Sequence, residues 1–433
     1  MIRVSRFAFL PMLVLTAALL AGCAPQKAGK AVNLEFWHYL SEEQSKPLKD
    51  LIAEYEKAND GVSIKAVFQG NPRELKQKLD SSFAAATANN PVMATMYESW
   101  TDDFNNKGYM EPVQNYFDGP DGLSKEEQKD IVKVFRDGNS WNGKMMTMPF
   151  NKSVYMLYVN ADKLAKAGLT TAPTTQAEFA NAVKKLTTRD DGRISTYGFG
   201  VQPRSEAFTI FYFARGGRIF DEAGNPKFDS PEAIETMTLL RDLQYPEKHL
   251  YVNPDYMSTP FGNQQIAMYS YSSASFPYNK KLSAGKFNYQ AAAIPGVEGK
   301  DTRYLMQGTN IGIFGNRSEA ERRAAWKFLK FLTTAKNSAM FSTRAGYMPI
   351  RYSVLKEPVM QEYMAQNADY ALASSLVLGD KGIQEPKIAI WEGLRSDIDS
   401  VVDNVLSKGS DPKEELTALQ AKAVQKVLQK KQQ

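Results

Sequence analysis

The body of the chain opens on an alternation. Val32, Leu34 and Phe36 fall on one side of a stretch ending at Trp37, the two-residue period of a half-buried strand. Ser41 and Gln44 then take the spacing of a capping box, and Leu48, Leu51, Ile52 and Tyr55 form a helical stripe behind it. The short period returns at Val62, Ile64, Ala66 and Phe68, and the helical one at Leu75, Leu79, Phe83 and Ala86. Strand, helix, strand, helix in that order predicts a mostly parallel sheet with helices on its faces. After a break near residue 145 the pattern resumes. Tyr155 to Val159 predicts a strand, with Asn160 and Gly168 starting and stopping a short helix. Thr175-x-x-Glu178 caps the helix of Phe179, Ala182, Val183 and Leu186. Ser318-x-x-Glu321 precedes Ala324, Phe328, Leu329 and Leu332, and Asp411-Pro412 opens the last helix. The pattern predicts two α/β lobes.

Ahead of this body, Arg3 and Arg6 precede a nearly continuous apolar run from Phe7 to Leu20, the form of a secretion signal. The run is too short to favour a membrane-spanning helix. It ends Leu20-Ala21-Gly22-Cys23, which resembles the bacterial lipobox, whose cysteine is acylated through sulfur and becomes the new N-terminus. Cys23 is the only cysteine in 433 residues. Residues 1–22 are therefore expected to be a lipoprotein signal peptide, Cys23 the lipid attachment site and 23–31 a tether without apolar period. Multiple acyl chains hold a protein stably at a membrane. The expected location is the cell envelope, lipid-anchored on its periplasmic or extracellular face.

Composition narrows the chemistry. A formal charge of +5, from 53 basic and 48 acidic residues, is too small for a dedicated nucleic-acid binder. One cysteine and two histidines, His38 and His249, leave no disulfide scaffold and no Cys-rich metal centre. No phosphate loop, dinucleotide fingerprint, Gly-x-Ser-x-Gly elbow or His-Glu-x-x-His motif occurs. Glu98, Asp102 and Asp103 hint at acid–base work of the glycosidase kind. On a helix, however, Glu98 and Asp102 are an i, i+4 pair of the sort expected on a solvated face. His38, at a strand end without a sequence-local partner, is expected to pack or to hydrogen-bond. No enzyme, no cofactor and no metal is expected.

Four blocks carry a resemblance. They are Met148-Pro149-Phe150-Asn151 with Tyr155 to Leu169, Phe261 to Met268, Trp326 to Leu332, and Ala345 to Ile350. In order and spacing they resemble the extracellular solute-binding proteins of bacterial ABC importers, although the second block lacks the family's glycine at its usual place. The resemblance implies a two-lobe, type II periplasmic-binding-protein-like α/β fold with the ligand cleft at the hinge. Lobe one is implied at 31–147 plus 287–338, and lobe two at 148–286 plus 339–430. It also implies a monomer whose partners are a small-molecule solute and the importer's permease subunits, and which closes on its ligand by hinge motion.

Within the family the likeness is greatest to the sn-glycerol-3-phosphate-binding members. It implies ligand-binding roles for Glu98, Ser153, Ser272, Gly308, Tyr347 and Arg395. Two departures stand out: Pro72 replaces a tyrosine, and Val201 to Glu206 replaces a segment with two tryptophans. A phosphate monoester asks for a fixed cation, hydroxyls and backbone donors, which Arg395, Ser153, Ser272 and the backbone near Gly308 are of a kind to supply. Glu98 is the acceptor for glycerol hydroxyls. Trp391-Glu-Gly-Leu-Arg395 also resembles the tryptophan–arginine spacing of maltose-binding proteins. With Trp37 and Trp100, Trp391 would give an oligosaccharide its aromatic platforms. The expected ligand is sn-glycerol-3-phosphate or a related glycerophosphodiester, with a sugar as the alternative and a surface glycoside hydrolase as the remote one.

Overall fold

The computed structural model describes residues 31–85 and 90–432. The leader, Cys23 and the tether through Lys30 lie outside the described residues, as does Ala86, the last apolar position expected in the second helix. Val32–His38 and Val62–Phe68 pair in parallel, Val32 against Val62 through His38 against Phe68, with helices Glu42–Ala58 and Pro72–Ala84 following them. Thr175 with Glu178, and Ser318 with Glu321, make both bonds of a capping box. Ser41 makes only the half in which its hydroxyl accepts from the Gln44 N–H. A full box that the pattern missed joins Asn71 to Glu74.

Among the described residues twelve strands form one sheet, and Ser140–Trp141 and Lys144–Met145 pair apart from it. Its path runs Leu250–Val252, Arg193–Val201, Ile266–Ser272, Thr147–Asn160, Tyr304–Phe314, Met93–Met96, Val32–His38, Val62–Phe68. Thr147–Asn160 is buried along its whole length. Its first half pairs antiparallel with Tyr304–Phe314, its second half with Ile266–Ser272 and Tyr289–Ala293. A strand covered on both sides loses its alternation, and here buried Asn151, Lys152 and Ser153 also break the apolar run, which is why only Tyr155 to Val159 was legible as strand. Two such strands, each shared between halves of the sheet, join the lobes of an α/β fold.

Each lobe has its own core. Leu34, Phe36 and Leu48 pack with Trp326, Leu329 and Phe341 in one. Phe179, Phe199 and Phe211 pack with Ile398, Val402 and Leu416 in the other. Two segments fall on the opposite side of the expected boundaries. Tyr289–Ala293 pairs with Met156 to Asn160 and so goes with the second lobe. Phe341, Ala345 and Tyr347 pack with Leu48 and Ile52, and so go with the first. Among the described residues no helix is long and apolar enough to cross a membrane.

Candidate functional site

Where the two long strands pair side by side, Lys152 faces Gly308 in the ladder. The Lys152 side chain is fully buried, and its Nζ donates to Glu98 Oε1 at 2.8 Å and to the Gly308 carbonyl at 3.1 Å. Asn310 Nδ2 and Gln384 Nε2 donate to the same Glu98 oxygen at 3.2 and 2.7 Å. Glu98 opens helix Glu98–Asn106, where the helix dipole favours a negative charge. Burial works to lower the Lys152 pKa, and the Glu98 carboxylate opposes it. Gly308 has φ of +97°, and a Cβ there would come within 2.0 Å of the Asn151 carbonyl oxygen. The position is open to glycine alone, because both the left-handed backbone and the close approach of the neighbouring strand exclude a side chain.

A second cluster centres on Arg395, near the start of helix Trp391–Lys408. Its Nη1 donates to Glu385 Oε2 at 2.9 Å, and its Nη2 to Glu206 Oε1. Ile398, Val401, Val402 and Val405 bury the helix behind it and hold the backbone still. Gln307, opposite Ser153 in the ladder, donates to Glu385 Oε1 at 3.2 Å. One guanidinium thus serves two carboxylates. Burial pushes Glu385 up to about 7, even with Arg395 pulling the other way. Burial acts upward on Glu206 too, but Arg395 and local hydrogen bonds outweigh it and hold that carboxyl below the ordinary range. The segment Gln384–Glu385 links the clusters, with one side chain on Glu98 and the next on Arg395.

Beside Glu206 a cavity of about 80 Å³ is lined by Tyr155, Arg204, Glu206, Tyr256, Ser270 and Tyr271. Ser272 lies one residue beyond, opposite Tyr155 in the antiparallel ladder, with its hydroxyl accepting from the Ala274 N–H. Tyr347 is buried among Phe341, Tyr39 and Asn151, and Asn151 Nδ2 donates to the Tyr39 hydroxyl at 3.0 Å. Tyr97 stacks on Tyr39 at 6.3 Å and lies within the field of Arg395.

Of the expected ligand positions, Glu98, Ser153, Gly308 and Arg395 are brought together by the crossing strands and the Gln384–Glu385 segment. Ser272 and Tyr347 flank them. Trp391 does not join them as a platform: it is 1% exposed and packs with Leu394 and Ile398, so neither ring face is open. Trp100 is likewise buried. The expectation that Glu98 and Asp102 form a solvated face is corrected. Both are buried, and Asp102 accepts from Lys430 Nζ at 2.7 Å and from the Ala389 N–H at 2.9 Å. Asp103 is held by Lys76 and Lys107. The acidic trio is therefore bound up in ion pairs. His38 packs against Phe36 and Phe68, and burial lowers its pKa to about 4, with Lys49 adding to the shift.

The sequence reading missed Lys152, Glu206 and Glu385. Lys152 carried a signal, since a lysine between Phe150 and Val154, just ahead of the apolar run Tyr155 to Val159, must be paired where it is buried. Glu206 sat in the segment noted only as a departure. Glu385, in a short connection before Pro386, has no sequence-local signature.

Comparison with known proteins agrees with this architecture. The family model described as bacterial extracellular solute-binding protein matches residues 50–368. The sn-glycerol-3-phosphate-binding periplasmic protein UgpB of Salmonella typhimurium is 27% identical over 379 residues, covering 84% of this chain and 83% of its own. UgpB of Mycobacterium tuberculosis, solved in complex with glycerophosphocholine, superposes with a TM-score of 0.81 at 20% identity, covering 93% of this chain and 99% of that one. The GacH receptor of Streptomyces glaucescens, solved unliganded and with acarbose, gives 0.78 at 21% identity over 92% and 98%. With a match across most of its length and the two-lobe fold to go with it, the chain belongs to the bacterial extracellular solute-binding proteins, the capture components of ABC importers.

Proposed function

We propose that this protein captures a glycerol phosphate, as the free monoester or as a glycerophosphodiester, and presents it to the permease subunits of an ABC importer. The observation that carries the reading is Arg395, a guanidinium on a rigid helix and beside an open cavity, whose carboxylate partner Glu385 is pushed up to about 7. A phosphoryl group displaces Glu385 from the guanidinium, and Glu385 takes up a proton as it leaves. A guanidinium offers paired donors to phosphate oxygens, so the contact is directional as well as charged. Glu98, whose Oε2 has no hydrogen-bond partner among the described residues, is the acceptor for a glycerol hydroxyl, and Ser153 and Tyr347 complete the polar lining. The named ligand of the Salmonella relative supports this class. Of the three indole platforms the oligosaccharide reading needs, Trp100 and Trp391 are 3% and 1% exposed, and the half-buried Trp37 lies in a separate pocket with Glu74 and Lys78.

In this reading the lobes close about the crossing strands, the ligand stabilising the closed form by its preference for it. The lobes are those expected from the sequence, with Tyr289–Ala293 moved to the second and Phe341 to Tyr347 to the first. Cys23 carries the lipid that holds the body at the envelope. Its replacement by alanine should move the protein to the soluble fraction, and a variant that stays with membranes removes the anchor from the proposal.

A thermal-shift screen tests the ligand class. sn-Glycerol-3-phosphate or a glycerophosphodiester should raise the unfolding midpoint, as a ligand at 100 times its Kd adds about 2.7 kcal/mol to the native state. Inorganic phosphate and maltotriose should leave it near the unliganded value. A shift with maltotriose and none with the glycerol phosphates overturns the proposal.

A further inference from the structure

The cavity beside Arg395 has a chemistry of its own. Three tyrosine rings wall it: Tyr155 and Tyr271 stand at 66° with centroids 6.2 Å apart, and Tyr256 and Tyr271 at 87° and 5.9 Å. In an edge-to-face pair one ring's edge covers one face of its neighbour, and the remaining ring faces are the surfaces these tyrosines can offer to the cavity they line. Those faces are the negative part of the aromatic quadrupole, and they attract a cation held over them. Met257 lines the same space and adds a soft, polarisable contact.

The charge balance around the cavity has the same sign. Glu206, Glu385 and Glu392 lie within the field of Arg395, and Asp399 within that of Glu206, Arg395 and Arg204. Four carboxyl groups thus surround two guanidiniums, and Glu206, held below the ordinary range, is the one that lines the cavity. Arg204 lines the cavity and opposes a cation in it, but it is exposed, and water screens its charge more than that of the buried groups. The volume of about 80 Å³ is roughly half of the ~150 Å³ that admits a benzene ring, enough for an ammonium group with its substituents and too little for a sugar residue.

We propose that Tyr155, Tyr256 and Tyr271, with Glu206 beside them, form a subsite for the cationic ammonium headgroup of a glycerophosphodiester. The inference rests on the glycerol phosphate reading above and deepens it. The phosphoryl group takes Arg395 from its carboxylates, and the headgroup cation, a few bonds further along the same ligand, meets Glu206, which lines the cavity and is held below the ordinary carboxyl range. A zwitterionic diester then leaves the site closer to neutral than a phosphate monoester does.

Titration calorimetry on the mature protein, with its leader removed, separates the two layers of the claim. The probes are sn-glycero-3-phosphocholine, sn-glycero-3-phosphoinositol, which carries a neutral headgroup on the same phosphodiester, and sn-glycerol-3-phosphate. The choline ester should bind about five- to thirtyfold more tightly than the inositol ester, the range expected of cation–π contacts in a partly desolvated site. Tyr256→Ala and Tyr271→Leu should shrink that ratio toward one with the affinity for sn-glycerol-3-phosphate retained, whereas Tyr271→Phe, which keeps the ring face, should preserve it. Tyr256 is 65% exposed, so its removal leaves the fold intact and the test readable. Equal binding of the choline and inositol esters, or a ratio that survives both ring deletions, overturns the headgroup subsite alone. Failure of all three probes to bind overturns the glycerol phosphate reading and this subsite with it.

Discussion

Glu98–Lys152 and Glu206–Arg395–Glu385 are both ion clusters set in the interior, yet they are built to different ends. The first is balanced. One ammonium meets one carboxylate, and Asn310, Gln384 and the Gly308 carbonyl take up further hydrogen bonds where the two long strands pair. The second is over-subscribed, with two carboxylates on one guanidinium and a cavity alongside. A buried charge pair is costly to form and more costly to break, so a balanced pair acts as a fixed joint. An arginine with one carboxylate too many keeps its charge and stays exchangeable. On the proposed function, stoichiometry rather than burial separates the joint from the binding device.

The largest effect is expected at the joint. Lys152→Met leaves Glu98 buried without its counter-charge and should cost about 3–5 kcal/mol of stability in chemical denaturation. Adding Glu98→Leu should restore much of it, since a well-packed apolar pair replaces a buried ion pair at little net cost. If Lys152→Met unfolds at the parent's denaturant concentration, the pair is not a joint. Gly308→Ala comes next. A left-handed backbone costs a non-glycine residue roughly 1–3 kcal/mol, before the contact with the Asn151 carbonyl is counted. A neutral outcome there would mean that the two long strands separate easily at the register shift between Gly308 and Asn310.

The prediction that sharpens the comparison most is the pH dependence at Glu385. Its native value of about 7 lies above the ordinary 4.5, so between those limits the native form holds more protons than the unfolded chain. Stability from this group therefore falls as pH rises from about 4.5 to about 7, and the group makes no difference below that window. Glu385→Gln should flatten this slope. Affinity for a phosphodiester, whose own charge does not change near neutrality, should fall as pH rises through about 7, because ionised Glu385 competes for Arg395. A pH profile of binding that is flat from 6 to 8 would detach Glu385 from the site.

Much of the fold was legible because its helices announce their ends. Thr175-x-x-Glu178 and Ser318-x-x-Glu321 cap as their spacing predicts, and the apolar stripes behind them are buried. The parallel pair Val32–His38 and Val62–Phe68 was equally open to reading, since one face of each alternates. The long strands were less so. Burial on both sides erases the two-residue period, and Thr147–Asn160 shows only its apolar half to pattern analysis. Tyr289–Ala293 and Phe341 to Tyr347 pair and pack across the expected boundaries, because chain order does not say which half of a shared strand a later segment will join. In the site, resemblance located Arg395 and Glu98 but not what they bond. Glu206 and Glu385 lie 189 and 10 residues from Arg395, and only the fold brings the three together. Trp391 illustrates the converse, a residue whose spacing suited a platform and whose helix turns it into the core.

The most direct test compares Arg395→Ala with the parent by titration calorimetry at pH 6, using the glycerol phosphate that gives the larger thermal shift. Removing a charge-assisted contact from a desolvated site should weaken binding by about 2–4 kcal/mol, or roughly thirty- to a thousandfold, and Arg395→Lys should recover only part of the loss. The unfolding midpoint should change far less than it does in Lys152→Met, because Glu385 can take up a proton when its counter-charge is gone. Undiminished affinity in Arg395→Ala would contradict the account, for it would make the over-subscribed arginine a second structural joint and leave the phosphoryl group without its clamp.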